Sequence, residues 1–182
     1  MRMLHITNRY FPELQYGGPP ERIHALCVRL AAQGHRVDVL TRHSRLPTGN
    51  AQVNYQGVLV HYLPWQPCGS REIPLGRRAF TSLVQSADII HIYGLYDLQG
   101  VMAAYLASSQ HRPFVLEPMG MFLPIVRSIR KKQLYHATVG QWMIRRAARI
   151  IATSEQEQAE IVSTGVARGQ VVVRRNGVDL EQ

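Results

Sequence analysis

Apolar and polar positions along this chain follow two alternating rhythms: short β-rich runs, and longer stretches in which apolar residues recur at helical spacing. Runs of the first kind predict strands at Met3 to Thr7, Val37 to Thr41, Val58 to Leu63, Ile89 to Tyr93, Phe114 to Glu117, Ile150 to Ala152 and Val171 to Val173. Between the first two strands Ile23, Leu26, Cys27, Leu30 and Ala31 lie on one helical face, and Gly34 is placed to end that helix. Further helices are expected at Arg78 to Gln85, Leu98 to Ser108 and Glu155 to Thr164, the last capped by Thr153 or Ser154 and closed by Gly165. Ile125 to Arg146 has helical composition, with Thr138, Val139 and Gly140 marking a break. The stretch around Pro47, Gly49 and Asn50 and the segment Pro64 to Gly76 read as loops, and Asn176-Gly177 as a turn. Strands alternating with helices imply an α/β fold: a Rossmann-like, doubly wound, mainly parallel sheet with helices on both faces.

Composition narrows the classes. A chain of 182 residues, 46% hydrophobic and 18% charged, can bury one substantial core. The opening MRMLHITNRYF lacks the apolar region of a secretion signal, and no apolar run is long enough to cross a bilayer, so the chain reads as cytoplasmic. Cys27 and Cys68 form neither a disulfide framework nor a zinc pattern, and the histidines lack metal-ligand spacing, so no metal site is expected and no motif here calls for a cofactor. The formal net charge of +9 raises affinity for phosphates on nucleic acid, anionic membrane or small molecules alike.

In a doubly wound sheet, ligands collect beyond the carboxyl ends of the strands. The loop after the first strand, YFPELQYGGPPER, carries Gly17 and Gly18, which let a ligand approach the backbone, and Pro19 and Pro20, which suit a first helical turn. It is neither the dinucleotide fingerprint nor a Walker loop. The run YFPELQYGGPPERIHALCVRLAAQGHRVDVLT resembles the opening of family 4 glycosyltransferases, and ADIIHIYGLYD, PFVLEPMGMFLP with RSIRKK, RIIATSEQEQAEI and VVVRRNGVDLE follow in the family's order.

That resemblance implies a GT-B architecture of two Rossmann-like domains, with this chain, 1–182, as the N-terminal acceptor-side domain and the C-terminal donor-binding domain absent. It implies transfer from a nucleotide-sugar donor to a glycan or lipid-linked acceptor with retention, the nucleotide-sugar being a substrate and the isolated fragment inactive. Gly17, Gly18, Met119 and Gly120 would face the donor phosphates or sugar; relatives place His or Arg where this chain has Met119, whose thioether supplies neither charge nor imidazole. Tyr93 would either hydrogen-bond the acceptor or pack at its strand end, and Asp97 and Glu117 would bind acceptor hydroxyls or remain solvated loop carboxylates. Arg127 and Lys131 belong to a basic segment with Arg130 and Lys132 that suits a phosphate-bearing acceptor or peripheral contact with an anionic membrane, at its cytoplasmic face; a solvated helix face is the plainer alternative. No catalytic residue is assigned to this half. A basic nucleic-acid-binding module and a free-standing nucleotide-binding Rossmann domain are the competing readings; the chain lacks a recognition motif for the first, so no nucleic-acid partner is expected.

Overall fold

The computed structural model describes residues 1–13, 18–42, 51–63, 65–68, 71–74, 76–120, 122 and 135–175. Its centre is an eight-stranded sheet in the order β10-β9-β8-β7-β1-β2-β4-β3. The strands are β1 (Arg2–Ile6), β2 (Arg36–Thr41), β3 (Ala51–Tyr55), β4 (Val58–Tyr62), β7 (Ile89–Tyr93), β8 (Phe114–Glu117), β9 (Arg149–Ala152) and β10 (Val171–Val173), and β5 (Trp65–Cys68) and β6 (Arg71–Pro74) form a separate antiparallel ribbon. All neighbours in the main sheet run parallel except β3 against β4. Chain order reverses between β1 and β7, which makes that boundary the topological switch point.

The period-two pattern of the central strands divides two unlike faces. Leu4, Ile6, Ile90, Ile92, Phe114, Leu116 and Ile150 face one side and join the larger core. There they meet α2 (Arg77–Ser86), α3 (Leu98–Ser109), α4 (Gln141–Arg146) and α5 (Glu155–Ser163). The opposite face carries α1 (Gly18–Ala32), whose Ile23 and Cys27 pack with Val37, Val39, Val58, Val60 and Tyr93. The sequence-predicted helices on both faces of a mainly parallel sheet are therefore present.

Local chemistry sets the helix ends. Proline in the first turn of α1 forgoes only an amide that would lack a partner anyway, and Gly34, at φ +85°, ends the helix with its N–H donating to the Ala31 carbonyl at 2.9 Å. Ser154 caps α5 by accepting from the Glu157 amide, and Asp97 caps α3 by accepting from that of Gln99. The break anticipated at Thr138 to Gly140 is a π-helical turn, His136–Gly140, leading into α4.

Two segments expected to be loops contain strands. Ala51, Val53 and Tyr55 alternate with exposed Gln52 and Asn54, and Gln56-Gly57, both at positive φ, turn the chain directly into β4. The Pro64 to Gly76 segment forms the β5–β6 ribbon; a ribbon two strands wide tolerates Pro67 and Pro74 because every residue lies on an edge. The loop around Pro47, Gly49 and Asn50, and the Asn176-Gly177 turn, lie outside the described residues.

Helix α3 sits close on β7 because Gly100 has no side chain: a Cβ there would come within 2.9 Å of Ile92 Cγ2. Gly100→Ala should therefore lower stability by about 1–3 kcal/mol in urea unfolding, as overpacking does, although alanine is the better helix former.

Candidate active site at the carboxyl edge of the sheet

Three backbone features converge beyond the carboxyl ends of β1, β7 and β8. Gly18 opens α1, is exposed, and has nothing within 4 Å of where a Cβ would stand. Gly94 follows β7 at φ +86° and donates its N–H to the Glu117 carbonyl at 2.8 Å. After β8 the chain turns through Met119 at φ +61° and Gly120 at φ +76°. A non-glycine residue in the left-handed region is strained, so this turn needs an external hold.

Glu157 supplies the hold. Its Oε1 accepts from the Gly120 amide at 2.7 Å, while Oε2 accepts from the Thr153 amide and hydroxyl at 2.7 and 2.8 Å. Ser154 and Glu157 stand in the spacing of a capping box, but here the glutamate reaches past its own helix to the neighbouring turn. Met119 is half-buried and packs against the smaller core cluster.

Beneath the edge lies a buried polar cluster. His5 and His91 are register partners on the central strands, and their rings lie 5.3 Å apart. Tyr93 stacks on His91, with centroids 4.1 Å apart, and its hydroxyl is 3.0 Å from His5 Nδ1. Glu117 has no exposed surface. Arg174 donates to both its oxygens at 2.9 and 2.8 Å, Arg22 to Oε1 at 3.0 Å, and His91 Nε2 lies 3.0 Å from Oε2. Burial alone would raise the Glu117 pKa, but the adjoining His91 ring and the guanidinium groups of Arg174 and Arg22 bring it below the ordinary carboxylate value. Burial lowers the pKa values of both histidines: His91 and Arg174 push His5 down further, whereas Glu117 partly offsets the effect at His91. Burial also raises the Tyr93 phenol well above its usual range.

The site residues anticipated from sequence thus fall into distinct settings. Gly18, Met119 and Gly120 lie on backbone at the edge. Tyr93 and Glu117 lie just beneath it, enclosed, and their oxygens engage His5 and the two arginines. Asp97, half-buried at the start of α3, has its pKa raised by burial against the opposing pull of the Gln99 amide, Arg42 and Asn8. Gly17, Arg127 and Lys131, with Arg130 and Lys132, lie outside the described residues. Sequence reasoning missed Arg22, Arg174, His5 and Glu157 as parts of this edge. Only Glu157 had a local signal, the Ser-x-x-Glu spacing; Arg22 and Arg174 meet Glu117 across 95 and 57 residues. Among the described residues no group of three His, Cys, Asp or Glu side chains is placed to hold a metal ion.

A doubly wound sheet with glycine-bearing turns at its switch point defines a Rossmann-like lobe of the kind that receives phosphorylated ligands at its carboxyl edge. The model of the glycosyl transferase 4-like domain matches residues 17–177, and the chain belongs to that family. It is similar to GDP-mannose:cellobiosyl-diphosphopolyprenol alpha-mannosyltransferases of Xanthomonas campestris, at 25% identity, and of Xanthomonas oryzae pv. oryzae, at 27%. Both matches cover 100% of this chain but 47% of the relative, so the chain spans about half the length of the curated relatives it matches. Among solved structures, Anabaena HepE in complex with UDP-glucose superposes with a TM-score of 0.69 at 18% identity, over 98% of this chain and 44% of that one. Sucrose-phosphate synthase from Thermosynechococcus elongatus gives 0.68 at 19%, over 99% and 49%. The fold is that of one half of a GT-B glycosyltransferase.

Removing the charge of Glu117 would take the shared anion from Arg22 and Arg174, both part-exposed and able to turn to water, so Glu117→Gln should destabilise the protein by about 1–3 kcal/mol in chemical unfolding. Stability should also fall with acid. The folded protein holds His5 and His91 neutral while the unfolded chain protonates them near 6.5, so the contribution present above that pH is lost below it, at up to about 1.4 kcal/mol per pH unit for each ring. Glu117, with its folded pKa lowered, adds a second loss as pH falls through its folded value. Unfolding midpoints measured between pH 7.5 and 5.5 should decline, and His5→Gln should flatten that decline.

Proposed function

We propose that this chain is the acceptor-side domain of a glycosyltransferase that moves a hexosyl group, with retention, from a nucleotide-sugar to a glycan carried on a diphospholipid. The observation that carries the reading is the family match across residues 17–177, together with glycine-bearing turns at the sheet's switch point. Support for the acceptor class comes from the Xanthomonas relatives, and for the donor class from HepE and those same relatives.

In this reading the acceptor hydroxyl oxygen bonds to the anomeric carbon as the bond from that carbon to the donor phosphate breaks. The departing nucleoside diphosphate takes the hydroxyl proton. Gly17, together with Gly18 at the start of α1 and Met119 and Gly120 in the turn after β8, is assigned to the donor. A methionine there offers the sugar no charged side chain, and the Gly120 amide is already engaged by Glu157. Asp97 is the carboxylate placed to accept from acceptor hydroxyls, while Tyr93 and Glu117 support the edge from below. Arg127 and Lys131 answer the acceptor phosphate or an anionic membrane surface on the cytoplasmic side. The nucleotide is held mainly by a second domain, and the 182 residues alone are expected to transfer no sugar.

The test is a transfer assay with the full-length protein, GDP-mannose and UDP-glucose as donors, and a polyprenyl-diphosphate disaccharide as acceptor, with product stereochemistry read by NMR. An α-linked product from an α-linked donor, formed equally in EDTA, is expected; an inverted product would contradict the mechanism, and no transfer from either donor would contradict the function. A Cβ at Gly18 has no atom within 4 Å, so Gly18→Leu should leave the unfolding midpoint in place while lowering kcat/KM at least tenfold. A tenfold loss corresponds to about 1.4 kcal/mol of transition-state binding. Unchanged turnover would remove Gly18 from the donor site.

A further inference from the structure

Helix α3 carries no charged residue: LQGVMAAYLASS is apolar on its outer as well as its inner side. Its inner residues Gly100, Ala103, Ala104 and Ala107 are buried on the sheet, but Tyr105, facing outward, is 64% exposed. A helix apolar all round belongs in an interior, so the outer side of α3 is a surface built to be covered. It forms the floor of a groove of about 550 Å³, with Val101, Met102 and Tyr105 below, Phe80 of α2 on one wall, and Val139 and Trp142 of the π-turn and α4 on the other. That volume lies within the range of small-ligand sites, about 300–1,000 Å³.

Charge and direction identify what the groove takes. Neither α2, α3, the π-turn nor α4 contains an acidic residue, whereas Arg77 and Arg78 open α2 and Arg145 and Arg146 close α4. Arg77 itself lines the groove. Helix α2 leads directly into the amino end of β7, so its first turn, with Arg77, lies toward the carboxyl edge of the sheet. An occupant therefore meets a hydrocarbon trough with Arg77 at the end turned toward the active-site edge, whereas Arg145 and Arg146, where α4 runs into β9, lie toward the opposite edge and outside the lining. We propose that the groove binds the prenyl chain of the diphospholipid acceptor, with Arg77 beside the diphosphate and the glycan directed to the carboxyl edge. This rests on the lipid-linked acceptor proposed above. It adds the place where the lipid lies, along three helices that carry none of the residues assigned to the donor.

The full-length protein is titrated with geranylgeranyl diphosphate and with inorganic diphosphate, as wild type, as Thr81→Trp, which fills the groove, and as Tyr105→Glu, which places a charge at an exposed position that does not jeopardise folding. Both variants should weaken geranylgeranyl diphosphate at least tenfold while affecting inorganic diphosphate less than twofold. Both should also raise, by a similar factor, the KM for a polyprenyl-linked acceptor relative to a lipid-free glycan. Equal loss of both diphosphates, or an undiminished prenyl affinity in Tyr105→Glu, overturns the assignment. So does loss in the variants of binding to phosphatidylcholine vesicles lacking prenyl lipid, which would make the groove a bilayer contact, or a wild-type dimer that both variants dissolve. If the protein transfers sugar to no acceptor, the proposed function fails, while the geranylgeranyl diphosphate titration still decides the groove.

Discussion

A carboxylate with no exposed surface stays ionised only where cations and donors replace the water it has lost. Glu117, at the end of a central strand, meets that demand with three partners from three parts of the chain: Arg22 from α1, Arg174 from just beyond β10, and His91 from β7. Each must hold its place to within a few tenths of an ångström for the charge to be matched. One buried anion therefore fixes the height of α1 against the sheet. It also ties down the chain where it leaves the last strand, two strands away across β9.

The two faces of the sheet divide the work. Under α2 to α5 the contacts are apolar and close, with Gly100 letting α3 settle onto Ile92. Under α1 the apolar cluster gives way near the switch point to His5, His91, Tyr93 and Glu117. Polar groups make a more exacting core than aliphatic ones, because each needs a partner in a set direction. This is the face that carries the start of α1 and the Met119-Gly120 turn.

Much of this was legible in advance. Seven of the strands announce themselves as β-rich runs, and the helices by their periodicity and, for α5, by the cap at Ser154, because those signals are local. The β3–β4 hairpin was also written locally, in the alternation of Ala51, Val53 and Tyr55 and the Gln56-Gly57 turn, but short polar strands beside a Pro- and Gly-rich stretch read as loop. The polar cluster was not legible. Nothing near Glu117 in sequence points to Arg22 or Arg174, since pairing across the sheet follows from strand order and leaves no period along the chain. His5 and His91 share a register only once β1 and β7 are known to be neighbours.

Glu157 closes the first turn of α5 and holds the left-handed turn at Gly120 with one carboxylate. These two elements therefore share one opening reaction: fraying of the helix start releases the Gly120 amide, and distortion of the turn is felt at Thr153. The carboxyl edge of the sheet is thereby coupled to the crossover between β9 and β10, beside the strand from which Arg174 reaches back to Glu117, so order in the turn and order at β10 rise and fall together.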